Sequence, residues 1–178
     1  MPSEPVATAL PGLTLILGGA RSGKSREAER LVLASGLDPV YVATAEALDD
    51  EMAARIAEHR SRRGPTWRTV EEPLELVETL GRESADCRAV LVDCLTLWLT
   101  NLMVGGRPVE AELDRLLELL PRLRGALVLV SNEVGQGVVP AGAMARAFVD
   151  HAGRLHQRIA EEAHAVVFMT AGLPRRLK

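Results

Sequence analysis

Leu13-Thr14-Leu15-Ile16-Leu17-Gly18-Gly19-Ala20-Arg21-Ser22-Gly23-Lys24-Ser25 passes from an apolar, strand-like run into a glycine turn that leads toward a helix. Gly18, Gly19, Ala20, Arg21, Ser22, Gly23, Lys24 and Ser25 match G-x-x-x-x-G-K-[ST], with the strand before and the helix after that this pattern requires. The glycines let successive backbone N–H groups converge on phosphate oxygens, and the helix N-terminus adds a favourable dipole. Lys24 is expected to neutralise the β and γ phosphates of a nucleotide, and the Ser25 hydroxyl to ligate Mg²⁺.

On either side of this turn, short β-type runs alternate with longer segments of helical period. Strands are expected at residues 13–17, 40–44, 66–70, 89–93, 127–130 and 165–170. Ala28, Leu31, Val32 and Ser35 mark one helix, with Gly36 placed to end it. A second helix is expected from Asp49 to Arg63 and a short third at 74–80, after Pro73. Leu113, Leu116, Leu117 and Leu120 mark another, and Phe148, Ala152, Leu155, Ile159 and Ala163 trace the last. Most strands are unbroken Val, Ile and Leu runs, as when helices cover both faces of a parallel sheet. The expected fold is α/β, a doubly wound, mostly parallel sheet of the P-loop NTPase (RecA-like) type in one domain, residues 13–178. Residues 1–12 are expected to form a flexible N-terminal extension.

The 178 residues are 47% hydrophobic and 25% charged, the balance of an ordinary globular domain. A net charge of -3 gives no electrostatic reason to hold nucleic acid or an acidic membrane, so phosphate recognition must be local. Cys87 and Cys94 form no CxxC pair, and His59, His151, His156 and His164 include no i, i+4 pair that would suggest zinc. The apolar stretch 95–104 is far shorter than the ~20 residues that span a bilayer. The start of the chain lacks the Lys and Arg of a targeting segment, so a cytoplasmic location is expected.

Three further features bear on chemistry. The run Ala89-Val90-Leu91-Val92-Asp93 delivers a carboxylate at a strand's C-terminal end, where beside a phosphate cradle it can reach Mg²⁺ directly or through water. Glu133 lies in the glycine-rich loop Ser131-Asn132-Glu133-Val134-Gly135-Gln136-Gly137, a place where doubly wound folds contact ligands. Third, residues 55–68 hold five Arg against one Glu, with Arg55 and Arg62 flanking His59 at i-4 and i+3. One reading of this third feature is a solvated basic helix whose histidine packs on Ile56. The other is chemical: nearby positive charge keeps the imidazole neutral, and a neutral imidazole beside a nucleotide can attack phosphorus.

The order of these pieces resembles the bifunctional adenosylcobinamide kinase / adenosylcobinamide-phosphate guanylyltransferase family of cobalamin biosynthesis. Besides residues 18–25, the resemblance is carried by Tyr41-Val42-Ala43-Thr44-Ala45 and by Asp49-Asp50-Glu51-Met52-Ala53-Ala54-Arg55-Ile56 leading to His59-Arg60. Trp67-Arg68-Thr69-Val70-Glu71-Glu72-Pro73, Val92-Asp93-Cys94-Leu95-Thr96, Thr100-Asn101-Leu102 and Asn132-Glu133-Val134-Gly135 continue it. It implies that adenosylcobinamide is phosphorylated with ATP or GTP, and that GMP then passes from GTP to adenosylcobinamide phosphate through a guanylylated His59. It also implies nucleotide contacts at residues 18–25, at Ala43, Thr44 and Ala45, at Arg60, Ser61, Arg62 and Arg63, and at Glu71 and Asp93. Ser25 and Asp93 would hold Mg²⁺, and the chain would associate as a homotrimer. The γ-phosphate reacts in one transfer and the α-phosphate in the other, so one cradle must present the nucleotide in two ways or two nucleotides must bind. The competing readings are a single-function P-loop kinase for another small alcohol and a nucleotide-binding switch without catalysis. Against the switch, the chain has no N-K-x-D guanine signature.

Overall fold

The computed structural model describes Leu10, residues 12–46, Ala57 and residues 64–178. Its elements are β1 (Leu13–Gly18), α1 (Lys24–Ala34), β2 (Asp38–Ala43), β3 (Arg68–Glu71), α2 (Leu76–Glu83) and β4 (Arg88–Asp93). They are followed by α3 (Leu95–Val104), α4 (Val109–Leu119), a 3-10 turn (Leu120–Arg122), β5 (Ala126–Asn132), α5 (Ala143–Glu162), β6 (Ala165–Thr170) and β7 (Leu173–Arg176). The strands form one seven-stranded sheet in the order β3-β2-β4-β5-β1-β6-β7. Every pairing is parallel except β6 with β7.

Successive side chains on a strand face opposite ways, and both faces of this sheet are covered. Ile16, Leu91, Val128 and Val130 pack toward Ala28 and Val32 of α1. Leu15, Leu17, Val92 and Leu129 pack with Trp98, Leu116, Leu155 and Ile159 on the other side, where α2 to α5 lie. That is why the strands read as continuous apolar runs. Leu15 and Ile16 are wholly buried, each contributing about 1.5–3 kcal/mol relative to exposure.

Two elements escape the sequence expectations. The stretch 95–104 is α3, whose Leu95, Trp98, Leu99 and Leu102 are all wholly buried; being apolar nearly all round, it has no stripe to mark it. β7 is an exposed edge strand containing Pro174, joined to β6 through Ala171 and Gly172, both at positive φ as in a tight hairpin turn. Some ends also move. β3 begins at Arg68 because Gly64 to Trp67 turn back on themselves, Trp67 N–H donating to Gly64 C=O. α2 begins at Leu76 because the Glu72 carboxylate takes the N–H groups of Leu74 and Glu75 (3.0 and 2.9 Å). Gly36 follows α1 as expected, just beyond the cap residue Ser35. The helix expected at 49–63 and the extension 1–12 lie outside the described residues, apart from Ala57 and from Leu10 and Gly12. No described helix is long and apolar enough to cross a membrane.

Candidate active site

The parallel strands end together on one edge, and β1 opens the site there. Gly18 has φ 152°, and a Cβ on it would lie 2.6 Å from the Met169 carbonyl and 2.7 Å from Ser22 Oγ. Only glycine fits this turn. Gly23, at φ 98°, starts α1 without a side-chain cap among the described residues, leaving its first-turn amides facing the turn where an anion would use them. Gly19, Ala20 and Arg21 are exposed at the top of the turn. Ser22 Oγ is buried there with no hydrogen-bond partner among the described residues.

Lys24 is 7% exposed, and its ammonium donates to the Gly19 carbonyl at 2.6 Å, folded back over the loop. Burial pulls its pKa down, with the Asp93 carboxylate acting in the opposite sense. The Cys94 thiol is pushed up by its own burial and stays neutral at pH 7, so it adds no charge. A phosphate in the turn would add to the negative charge that Asp93 already presents to Lys24.

Asp93 ends β4, which β5 separates from β1 in the sheet. Tyr41 of β2 donates its hydroxyl to Asp93 Oδ2 at 2.8 Å, and its ring meets Trp67 edge-on at 6.0 Å. The Asp93–Cys94 peptide is cis. Among the described residues no group of three His, Cys, Asp or Glu could cage a metal. One carboxylate and one hydroxyl, Asp93 and Ser25, suit an ion such as Mg²⁺ that keeps water and phosphate oxygens as its other ligands.

Of the other expected contacts, Ala43 ends β2 and aligns with Asp93 on one side and Glu71 of β3 on the other. Thr44 is wholly buried; its N–H donates to Asp93 C=O (3.2 Å), and its hydroxyl donates to Cys94 C=O (2.7 Å) while accepting from Cys94 N–H (2.8 Å). Ala45 follows, half-buried, and Glu71 is exposed at its strand end. Glu133 N–H donates to Gly18 C=O (3.0 Å), and its carboxylate accepts from Gly135 N–H (2.6 Å) within its own exposed loop. His59, Arg60, Ser61, Arg62 and Arg63 lie outside the described residues.

The structure also brings to this edge polar groups that sequence reasoning left without a role. Asn132 at the end of β5 donates to Thr96 Oγ1 of α3 (3.0 Å), which in turn lies 2.9 Å from Cys94 Sγ. Asn101 of α3 donates to the Thr44 and Pro73 carbonyls. A polar residue inside an apolar run was the available signal for Tyr41 and Asn101, but it carries no address for its partner.

A glycine turn that leaves a helix N-terminus open is suited to holding phosphate, and the fold that frames it here is that of the P-loop nucleotide-binding proteins. The flagellar accessory protein FlaH of Methanocaldococcus jannaschii shares that fold, at a TM-score of 0.58 and 14% identity over 95% of this chain and 80% of FlaH. Within this class the chain belongs to the cobinamide kinase / cobinamide phosphate guanyltransferase family, whose model matches residues 14–177. It is 58% identical to the bifunctional adenosylcobalamin biosynthesis protein CobP of Pseudomonas aeruginosa, over 92% of this chain and 96% of the relative. It is 40% identical to the bifunctional adenosylcobalamin biosynthesis protein CobU of Escherichia coli K12, over 93% of this chain and 99% of the relative. By membership the chain is an enzyme, a kinase and guanyltransferase of cobalamin biosynthesis.

Proposed function

We propose that this chain carries out both transfers through one phosphate cradle and one histidine. In the first, the hydroxyl of the aminopropanol arm of adenosylcobinamide attacks the γ-phosphorus of ATP or GTP, and the nucleoside diphosphate leaves. In the second, a His59 nitrogen attacks the α-phosphorus of GTP and the bond to pyrophosphate breaks. A phosphate oxygen of adenosylcobinamide phosphate then attacks the guanylyl phosphorus, breaking the phosphorus–nitrogen bond and restoring the imidazole.

The observation that carries the proposal is the uncapped start of α1 with Lys24 buried behind it, in a chain that the family model matches almost end to end. In this arrangement the backbone amides of residues 18–25 orient the phosphates, and the Lys24 ammonium offsets the charge that builds on them in the transition state. Ser25 and Asp93 would hold Mg²⁺, which when bound adds positive charge at the phosphate oxygens. Tyr41 holds the Asp93 carboxylate in one orientation. The arginines at 60, 62 and 63 would clamp phosphate beside His59.

Intact-mass measurement under non-acidic conditions, after mixing the protein with Mg²⁺ and GTP, tests the histidine. A GMP-sized adduct that acid removes, and that His59→Ala does not form, is expected because a phosphorus–nitrogen bond to imidazole is acid-labile. GTP binding without an adduct in the wild type would refute the covalent step and leave a single-function kinase.

A further inference from the structure

Among the described residues, seven large apolar side chains are exposed, and three of them, Val138, Val139 and Met144, fall within seven consecutive positions after β5, at 95, 75 and 56% exposure. The other four are scattered: Leu33 on α1, Val104 at the end of α3, Leu173 at the start of β7 and Leu177 just past it. Single exposed apolar residues are ordinary surface, whereas a cluster marks a place where something binds.

The loop that carries the two valines, residues 133–142, is braced at both ends. At its root Asn132 stands opposite Gly18 in the β1–β5 ladder, and Glu133 N–H donates to Gly18 C=O at 3.0 Å. The loop therefore leaves the sheet from beside the first residue of the glycine turn. At its far end Arg146, in the first turn of α5, donates to the Pro140 and Ala141 carbonyls at 3.0 and 2.5 Å. Val138 and Val139 lie between these ties, held out in water where they gain nothing from burial. Met144, also in the first turn of α5, adds an unbranched side chain that adapts to an irregular surface.

On the proposed function, the acceptor in both transfers is a corrinoid. A corrinoid is a broad macrocycle edged with methyl groups and carboxamide arms, and only the group at the tip of one arm has to reach phosphorus. The glycine turn offers backbone amides and a lysine, which suit phosphate and not a ring. None of the five aromatic side chains, Tyr41, Trp67, Trp98, Phe148 and Phe168, is exposed, so a ring at this surface meets aliphatic groups instead of a stacking partner. We infer that the loop after β5 is the platform for the corrin ring, with Val138, Val139 and Met144 seating the macrocycle while the adjoining glycine turn holds the nucleotide phosphates. The inference rests on the proposed function for the identity of the acceptor.

The test compares the full-length wild type with a double variant, Val138→Ser and Val139→Ser. Both side chains are exposed, so the variant should keep its thermal midpoint within about 2 °C; Val138→Ala with Val139→Ala serves if the serine pair does not fold. Equilibrium dialysis against adenosylcobinamide, read by the absorbance of the corrin, measures binding without nucleotide. Steady-state phosphorylation gives separate KM values for adenosylcobinamide and ATP. The variant should bind adenosylcobinamide at least fivefold more weakly, with its KM raised to match and the KM for ATP within about twofold of wild type. Unchanged corrinoid affinity, in a wild type that binds and phosphorylates adenosylcobinamide, would overturn the inference and leave the proposed function standing. Equal losses toward corrinoid and ATP would make the loop a support of the glycine turn, and a smaller particle by light scattering would make it a contact between copies of this chain; either overturns the inference. A wild type that neither binds nor phosphorylates adenosylcobinamide would remove the proposed function and the inference with it.

Discussion

Replacing Gly18 by Ala probes how tightly the glycine turn is locked to the sheet. The new Cβ would lie 2.6 Å from the Met169 carbonyl and 2.7 Å from Ser22 Oγ, inside the 3.0 Å that real Cβ atoms essentially never cross. The first neighbour is backbone of β6, laddered to β1 with Gly18 opposite Met169, so it cannot withdraw without opening the ladder. Holding a non-glycine residue at φ 152° costs about 1–3 kcal/mol, and overpacking a fixed contact costs about as much again. The sum, roughly 2–6 kcal/mol, is a large part of a typical stability of about 5–15 kcal/mol. At about 2–4 °C per kcal/mol for a chain of this size, the midpoint should fall by roughly 10 °C. Thermal unfolding followed by circular dichroism without nucleotide measures it. Gly19→Ala is the control, because a Cβ there meets no atom within 4 Å, and its midpoint should stay within about 2 °C of wild type. A Gly18→Ala midpoint equally close to wild type would refute the account of the turn.

Two other outcomes follow from buried groups. Lys24→Ala should leave the midpoint without nucleotide unchanged or higher, since a buried, destabilised ammonium is removed. The same change should abolish the rise in midpoint that saturating GTP produces by mass action, about 2.7 kcal/mol at a hundred times Kd, and should greatly reduce phosphorylation; full activity would refute the role of Lys24. His156 of α5, 2.7 Å from Ser131 Oγ, has its pKa drawn below the ordinary 6.5 by burial, with Glu133 opposing. As pH falls through 6.5 the unfolded chain takes up this proton before the folded chain does, so the stabilising contribution present above 6.5 is lost progressively down to the lowered folded value. Denaturant unfolding from pH 7.5 to 5 should therefore show a shallower acid-side loss for His156→Asn than for wild type; parallel curves would count against it.

How much was legible beforehand depended on whether the information was local. The turn at 18–25 could be read because each of its residues acts through its own backbone or side chain within one strand-to-helix connection. Asp93 could be proposed because a strand's last residue has only one edge to stand on. β7 could not be read, since an exposed edge with a proline resembles a loop until another strand pairs with it. α3 could not be read either, because a helix buried all round lacks the periodic contrast by which surface helices are recognised.

By itself, then, the sequence determined the glycine turn at 18–25, the class of fold and, through motifs in order, the family resemblance, all of which depend on residues close together in the chain. Only the tertiary structure decided that β5 stands between β1 and β4, that Tyr41 orients Asp93, and that Asn101 bonds carbonyls 57 and 28 residues away. The physical reason is that a hydrogen bond is directional and short, so a donor's partner is set by where helices and strands pack and not by its neighbours in sequence.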